Sequence, residues 1–141
     1  MEIWELVARE RIRDTTAAYT HNGDRGRIAE MVATFHEDGV LDIVGQEPLR
    51  GREAIISFLS GTTERGSSAG FVRHFVTNLR FDELTPELAR TSSYFLVMTA
   101  DGPDHWGRYR DELVPSGDRW LFARRTVRVD ATLDTSVFQD Q

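Results

Sequence analysis

Cysteine is absent from the 141 residues, and so is lysine: all 17 basic side chains are arginine. Without cysteine there are no disulfides, thiolate zinc sites or thiol nucleophiles. Without lysine there is no Schiff-base chemistry and no lysine of a phosphate-binding loop. A catalytic base must then be His, Asp, Glu or Tyr. Acidic residues outnumber the arginines, 23 to 17. The formal net charge of −6 gives a nucleic-acid partner little electrostatic support. No apolar run approaches the length needed to cross a bilayer, so a membrane is not expected as a partner. The start, Met1-Glu-Ile-Trp-Glu-Leu6, is acidic and lacks the layout of a signal peptide, which leads to a cytoplasmic expectation. No histidine pair has a ligand spacing such as His-x-x-x-His, so no metal is expected.

What remains is ordinary for a globular protein, with 40% apolar and 28% charged residues. Residues 3–21 read as a helix whose inner stripe is Trp4, Ala8, Ile12, Thr15 and Tyr19, broken by Asn22-Gly23. Asp24 can cap a second helix over 25–36, where Ile28, Met31, Val32 and Phe35 share a face. Val40–Val44 reads as a short strand with Asp42 facing away from Leu41 and Ile43. A short helix over 52–60 is followed by the polar, glycine-rich stretch 60–70, read as a flexible loop and as a possible lid. Four long strands follow, near 71–82, 88–100, 104–115 and 119–130. The reading is a single α+β domain over 1–130 with a polar tail at 131–141, whose one apolar pair, Val137-Phe138, leaves it either disordered or closed over a pocket. A strongly curved, mostly antiparallel sheet wrapped around about three helices forms a cone-shaped α+β barrel with an interior pocket.

His74 is the most informative residue. It lies in Phe71-Val-Arg-His-Phe-Val-Thr-Asn-Leu-Arg-Phe81, otherwise a buried strand rich in β-branched and aromatic residues. Alternation puts Val72, His74, Val76 and Asn78 on one face and Phe71, Phe75, Leu79 and Phe81 on the other. A histidine and an asparagine among valines look like a pocket wall with two polar anchors. Histidine is also the side chain best suited to move protons near neutral pH. Tyr19, Tyr94, Tyr109, Asn78 and Arg108 could hold a carbonyl or hydroxyl of a substrate.

Several motifs, in this order, resemble the SnoaL-like, or nuclear transport factor 2-like, superfamily. They are Phe35-His-Glu-Asp-Gly-Val-Leu-Asp42, Gly51-Arg-Glu-Ala-Ile55, Arg73-His-Phe-Val-Thr-Asn78, Ser93-Tyr-Phe-Leu-Val97, Gly107-Arg-Tyr-Arg-Asp111 and Trp120-Leu-Phe-Ala-Arg124. The fold hosts dehydratases, isomerases, cyclases, epoxide hydrolases and non-catalytic subunits. The Arg-His-Phe strand looks most like scytalone dehydratase and hexachlorocyclohexane dehydrochlorinase. That resemblance implies His74 as the proton-abstracting base, oriented by an aspartate near the end of the first helix. Aligned forward from the first helix, Asp24 takes that place; aligned backward from the second helix, His21 does. The dehydratase's second histidine is matched by His105 only with an offset of one residue, which in a strand reverses the facing. A second resemblance, over Val40-Leu-Asp-Ile-Val-Gly-Gln-Glu-Pro48, is to ketosteroid isomerase. It implies Asp42 as the base and Asp111 as the oxyanion donor, with Thr16 where the isomerase has a tyrosine and Tyr19 nearby.

Both resemblances imply cofactor-independent removal of a proton from carbon beside an electron-withdrawing group, in a lyase, isomerase or cyclase. The implied partners are a small hydrophobic or aromatic substrate and a second or third copy of the chain. A non-catalytic binding or assembly module is the alternative. His74 in contact with a carboxylate in a mostly apolar cavity favours catalysis; His74 bonded only to backbone favours a module.

Overall fold

The computed structural model describes residues 1–68 and 70–138. The order is α1 (Ile3–Asp24), α2 (Ile28–Val32), β1 (Phe35–Ile43), β2 (Leu49–Arg50), α3 (Arg52–Ser68), β3 (Val72–Leu84), β4 (Ala89–Thr99), β5 (Gly102–Ser116) and β6 (Arg119–Thr132). The strands form one sheet in the order β2-β1-β6-β5-β4-β3. Among the described residues, only β1 and β6 run parallel; the other neighbours are antiparallel. This is the α+β architecture expected, with the helices packed inside the curve of the sheet.

Period-two alternation sets which residues enter the core. Along β4, Ala89, Thr91, Ser93, Phe95, Val97 and Thr99 are buried, while Tyr94 faces outward. One apolar cluster joins Ala8, Ile12 and Tyr19 of α1 to Phe35, Leu41, Ile55, Leu113, Trp120 and Phe122. A smaller cluster of Phe95, Val97, Tyr109 and Phe138 lies beside the cavity.

Four local expectations change, three of them through a tertiary contact. Helix α1 continues past Asn22-Gly23 to Asp24, whose carboxylate is bonded to β3. Asp24 therefore caps nothing, and α2 is only five residues long with Arg27 at its N-cap. The expected helix over 25–36 ends early because Thr34 and Phe35 are claimed by the sheet. The Phe122 amide donates to the Thr34 carbonyl at 2.8 Å, and the Arg52 guanidinium donates to the Phe35 carbonyl.

The loop expected over 60–70 is mostly helix, since α3 runs to Ser68. Gly66 lets this helix lie against β3: a Cβ there would stand 2.7 Å from Val72 Cγ2. The close approach offsets the cost of about 1 kcal/mol that glycine carries in a helix interior.

Strand β3 is interrupted by a bulge between Thr77 and Arg80, with Asn78 at φ +57°. The extra residue reverses the facing beyond it. Leu79 and Phe81, expected opposite His74, turn inward, and Phe81 packs on the main core. Asn78, expected beside His74, is exposed.

Candidate functional site

Asp24 ends α1 and His74 lies on the neighbouring part of β3. The two Asp24 oxygens are both used on His74. Oδ2 accepts from the His74 backbone amide at 3.0 Å, and Oδ1 accepts from the ring Nδ1 at 2.6 Å. A carboxylate can only accept, so Nδ1 carries the proton of the neutral ring and Nε2 keeps its lone pair. The Asp24 side chain is 8% exposed and that of His74 22%. His21, the other residue considered for this position, is exposed one helical turn earlier.

His74 lines two adjoining chambers. The larger, about 430 Å³, is walled by Leu41, Ile43, Phe58, Phe95, Tyr109, Val127 and Phe138, together with Tyr19 and His105. The smaller, about 230 Å³, includes Asp24, Met31, Gly66 and Val72. Tyr19, Leu59, Thr62, His74 and Phe138 belong to both. The larger falls in the range of small-molecule sites, and its apolar walls are interleaved with polar groups, Gln46, Thr62, Asp134 and Ser136 among them. Among the described residues, no arginine lines the larger chamber, so none of them pairs there with an anionic substrate as arginine does.

His105, doubted from its offset, faces the larger chamber on the same side of β5 as Tyr109. Its Nδ1 is 2.6 Å from Asp104 Oδ2. Burial pushes the His105 pKa down; Asp104 opposes this and His74 adds to it.

Beneath the cavity floor, Asp111 and Arg125 form a fully buried ion pair, with Nε to Oδ1 at 3.0 Å and Nη2 to Oδ2 at 3.3 Å. The guanidinium carbon stands 3.6 Å from the centroid of Tyr109 and 4.3 Å from that of Tyr19. Burial raises both tyrosine pKa values against the pull of Arg125, so both hydroxyls stay protonated and able to donate. Burial likewise raises that of Asp111, opposed by Arg125.

Of the other residues singled out, Asp42 is ion-paired with Arg124 and does not line the cavity, although Leu41 and Ile43 beside it do. Asp111 is held by Arg125 and lines neither chamber. Arg108 pairs with Asp130, and Tyr94 is 56% exposed. Asn78, Tyr94 and Arg108 gather along a shallow hollow away from His74. Outward register puts Tyr94 and Arg108 there, and the bulge exposes Asn78. The pocket-facing set is therefore His74, Asp24, Tyr19, Tyr109 and His105. Among the described residues, no three His, Asp or Glu side chains are grouped to hold a metal ion.

Sequence reasoning passed over Asp104 and Arg125, and noticed Phe138 only as half of an apolar pair in the tail. An adjacent Asp-His pair at 104–105 was a signal in plain view. Arg124-Arg125 gave none, because only register shows that one points out and the other in.

No curated protein matches the chain. Among solved structures, one from Catenulispora acidiphila is 34% identical, with a TM-score of 0.78, covering 90% of this chain and 95% of that one. A second from that organism, in complex with a molecule named S-DNPA, is 33% identical, with a TM-score of 0.73, covering 86% and 92%. A protein of Novosphingobium aromaticivorans, provisionally called a scytalone dehydratase, is 25% identical, with a TM-score of 0.81, covering 92% and 89%. The profile of the SnoaL-like domain matches residues 4–126. The chain belongs to the SnoaL-like domain family.

Proposed function

We propose that the chain is a cofactor-independent enzyme of the dehydratase-like lyase type. It removes a proton from carbon beside an electron-withdrawing group of a small hydrophobic or aromatic molecule. The observation that carries this is the 2.6 Å contact of Asp24 with His74 at the wall of a cavity lined by both apolar and polar side chains. In the mechanism, His74 Nε2 takes the proton. Asp24 holds the ring and stabilises the imidazolium, as the carboxylate does in a catalytic triad. The low-dielectric walls strengthen that attraction. Tyr19 and Tyr109 donate to the substrate oxygen on which charge develops, and a group lost from the neighbouring carbon completes an elimination. The base contributes about 10²–10⁴-fold; orientation and charge stabilisation supply the rest. The family and the solved relative provisionally called a scytalone dehydratase support this reading.

An isomerase using Asp42 has less support. That carboxylate is tied to Arg124 and does not line either chamber. Deuterium uptake from heavy water by a panel of neutral aromatic ketones and β-hydroxy ketones tests the choice. His74→Gln is expected to cut catalysed uptake at least about 10²-fold, while Asp42→Asn leaves it unchanged. Uptake unchanged in His74→Gln contradicts the proposal, and a larger loss in Asp42→Asn favours the isomerase.

A further inference from the structure

Asp104 joins two parts of the molecule that the proposed chemistry treats separately. It is 4% exposed and every oxygen has partners. Oδ2 accepts from the His105 ring at 2.6 Å and from the Ser136 hydroxyl at 2.6 Å; Oδ1 accepts from the Val137 amide at 3.1 Å. Its backbone carbonyl accepts from the Leu133 amide at 3.0 Å. Residues 133–138 are thereby folded back from the end of β6. Their last described residue, Phe138, is buried, lines both chambers and sets its ring 5.3 Å from that of His105, edge to face. The Ser136 hydroxyl also accepts from the Phe138 amide at 3.0 Å, so the serine links the carboxylate to the plug.

We propose that Asp104 is a latch and a positioning residue: one buried carboxylate holds residues 133–138 shut over the cavity and orients the His105 ring within it. The site then has two histidines, each fixed at Nδ1 by its own aspartate. Only the second of these aspartates is shared with a segment that can leave. A charged acceptor serving three donors is worth more than neutral hydrogen bonds, yet the segment it holds buries only Phe138 fully. Local opening is therefore far less costly than unfolding, and it widens both chambers together. Small neutral molecules enter and leave by this route. The inference concerns the cavity of the proposed enzyme but does not require turnover, and its test reads none.

Diethyl pyrocarbonate modifies neutral imidazoles, and mass spectrometry of the intact chain's peptides gives a rate for each histidine. Exposed His21 is the internal control. In the unchanged protein His74 and His105 react more slowly than His21. Ser136→Ala removes both the bond to Asp104 and the acceptor of the Phe138 amide, without touching the cavity wall's histidines. It is expected to speed His74 and His105 by at least about 5-fold, the factor that even one lost hydrogen bond makes in an opening equilibrium, with His21 unchanged. Asp104→Asn is expected to speed them further. It also converts the His105 imidazole nitrogen signals from a single Nδ1-protonated form to a mixture, which a merely structural role does not move. Equal rates in Ser136→Ala and unchanged protein overturn the latch. A His105 tautomer unaltered in folded Asp104→Asn overturns the positioning role. Should that variant not fold, the rates in Ser136→Ala decide the proposal.

Discussion

An aspartate in the last turn of a helix opposes the helix dipole, which favours cations there by about 0.3–1 kcal/mol. Asp24 keeps that position because His74 satisfies both of its oxygens. Asp24→Asn is expected to keep the fold and to slow catalysed deuterium uptake by between about 10- and 10⁴-fold, through loss of the fixed tautomer. Uptake at the unchanged rate removes Asp24 from the orienting role.

His105 gives a pH effect of definite sign. Its folded pKa lies below the ordinary 6.5, chiefly through burial. Below that pH the unfolded chain binds the proton first, so stability falls as pH drops from about 7 toward 5 and is fully present above 6.5. His105→Gln is expected to flatten that part of the decline in urea midpoint; an identical decline contradicts the assignment. At this scale His74 was legible, because a histidine among valines is conspicuous in a strand. The choice between Asp24 and His21 was not, since it depended on where two helices end.

Elements departed from sequence expectation where a partner elsewhere in the chain overrode local preference. The glycine-rich stretch after residue 60 reads as a loop, yet it packs as helix because Gly66 admits Val72. The β3 bulge is likewise invisible to strict alternation, which assigned Asn78 to the pocket and Phe81 to the far face. Asn78 tolerates its left-handed backbone; a β-branched residue does not. Asn78→Val is expected to cost about 1–2 kcal/mol in urea unfolding, and an unchanged midpoint counts against a bulge at this point. The strands of the meander, by contrast, were legible to within a few residues, because their alternation and turn residues agree.

For the whole molecule, curvature of the sheet creates the cavity, and a buried ion pair supports its floor. Removing one partner strands a charge: Arg125→Met is expected to cost about 3–5 kcal/mol, while Arg125→Met with Asp111→Leu recovers most of the loss. A double variant as unstable as the single one contradicts that account. The order of elements made the fold class legible. The buried pair was not, because it depends on register between β5 and β6. Association of copies is proposed through the outer sheet face, where Phe75, Leu96 and Trp106 stand side by side across three strands. Phe75 and Trp106 are exposed there. Sedimentation equilibrium is expected to give a dimer or trimer mass that Phe75→Arg reduces; a monomer at high concentration contradicts it.

The most direct test of the central claim is a crystal structure with a bound ketone from the panel. The account predicts its activated carbon about 3–3.5 Å from His74 Nε2, with Asp24 still on Nδ1 and the rest of the molecule in the larger chamber. A ligand in that chamber whose activated carbon faces away from His74, or a ring turned off Asp24 onto backbone, contradicts it.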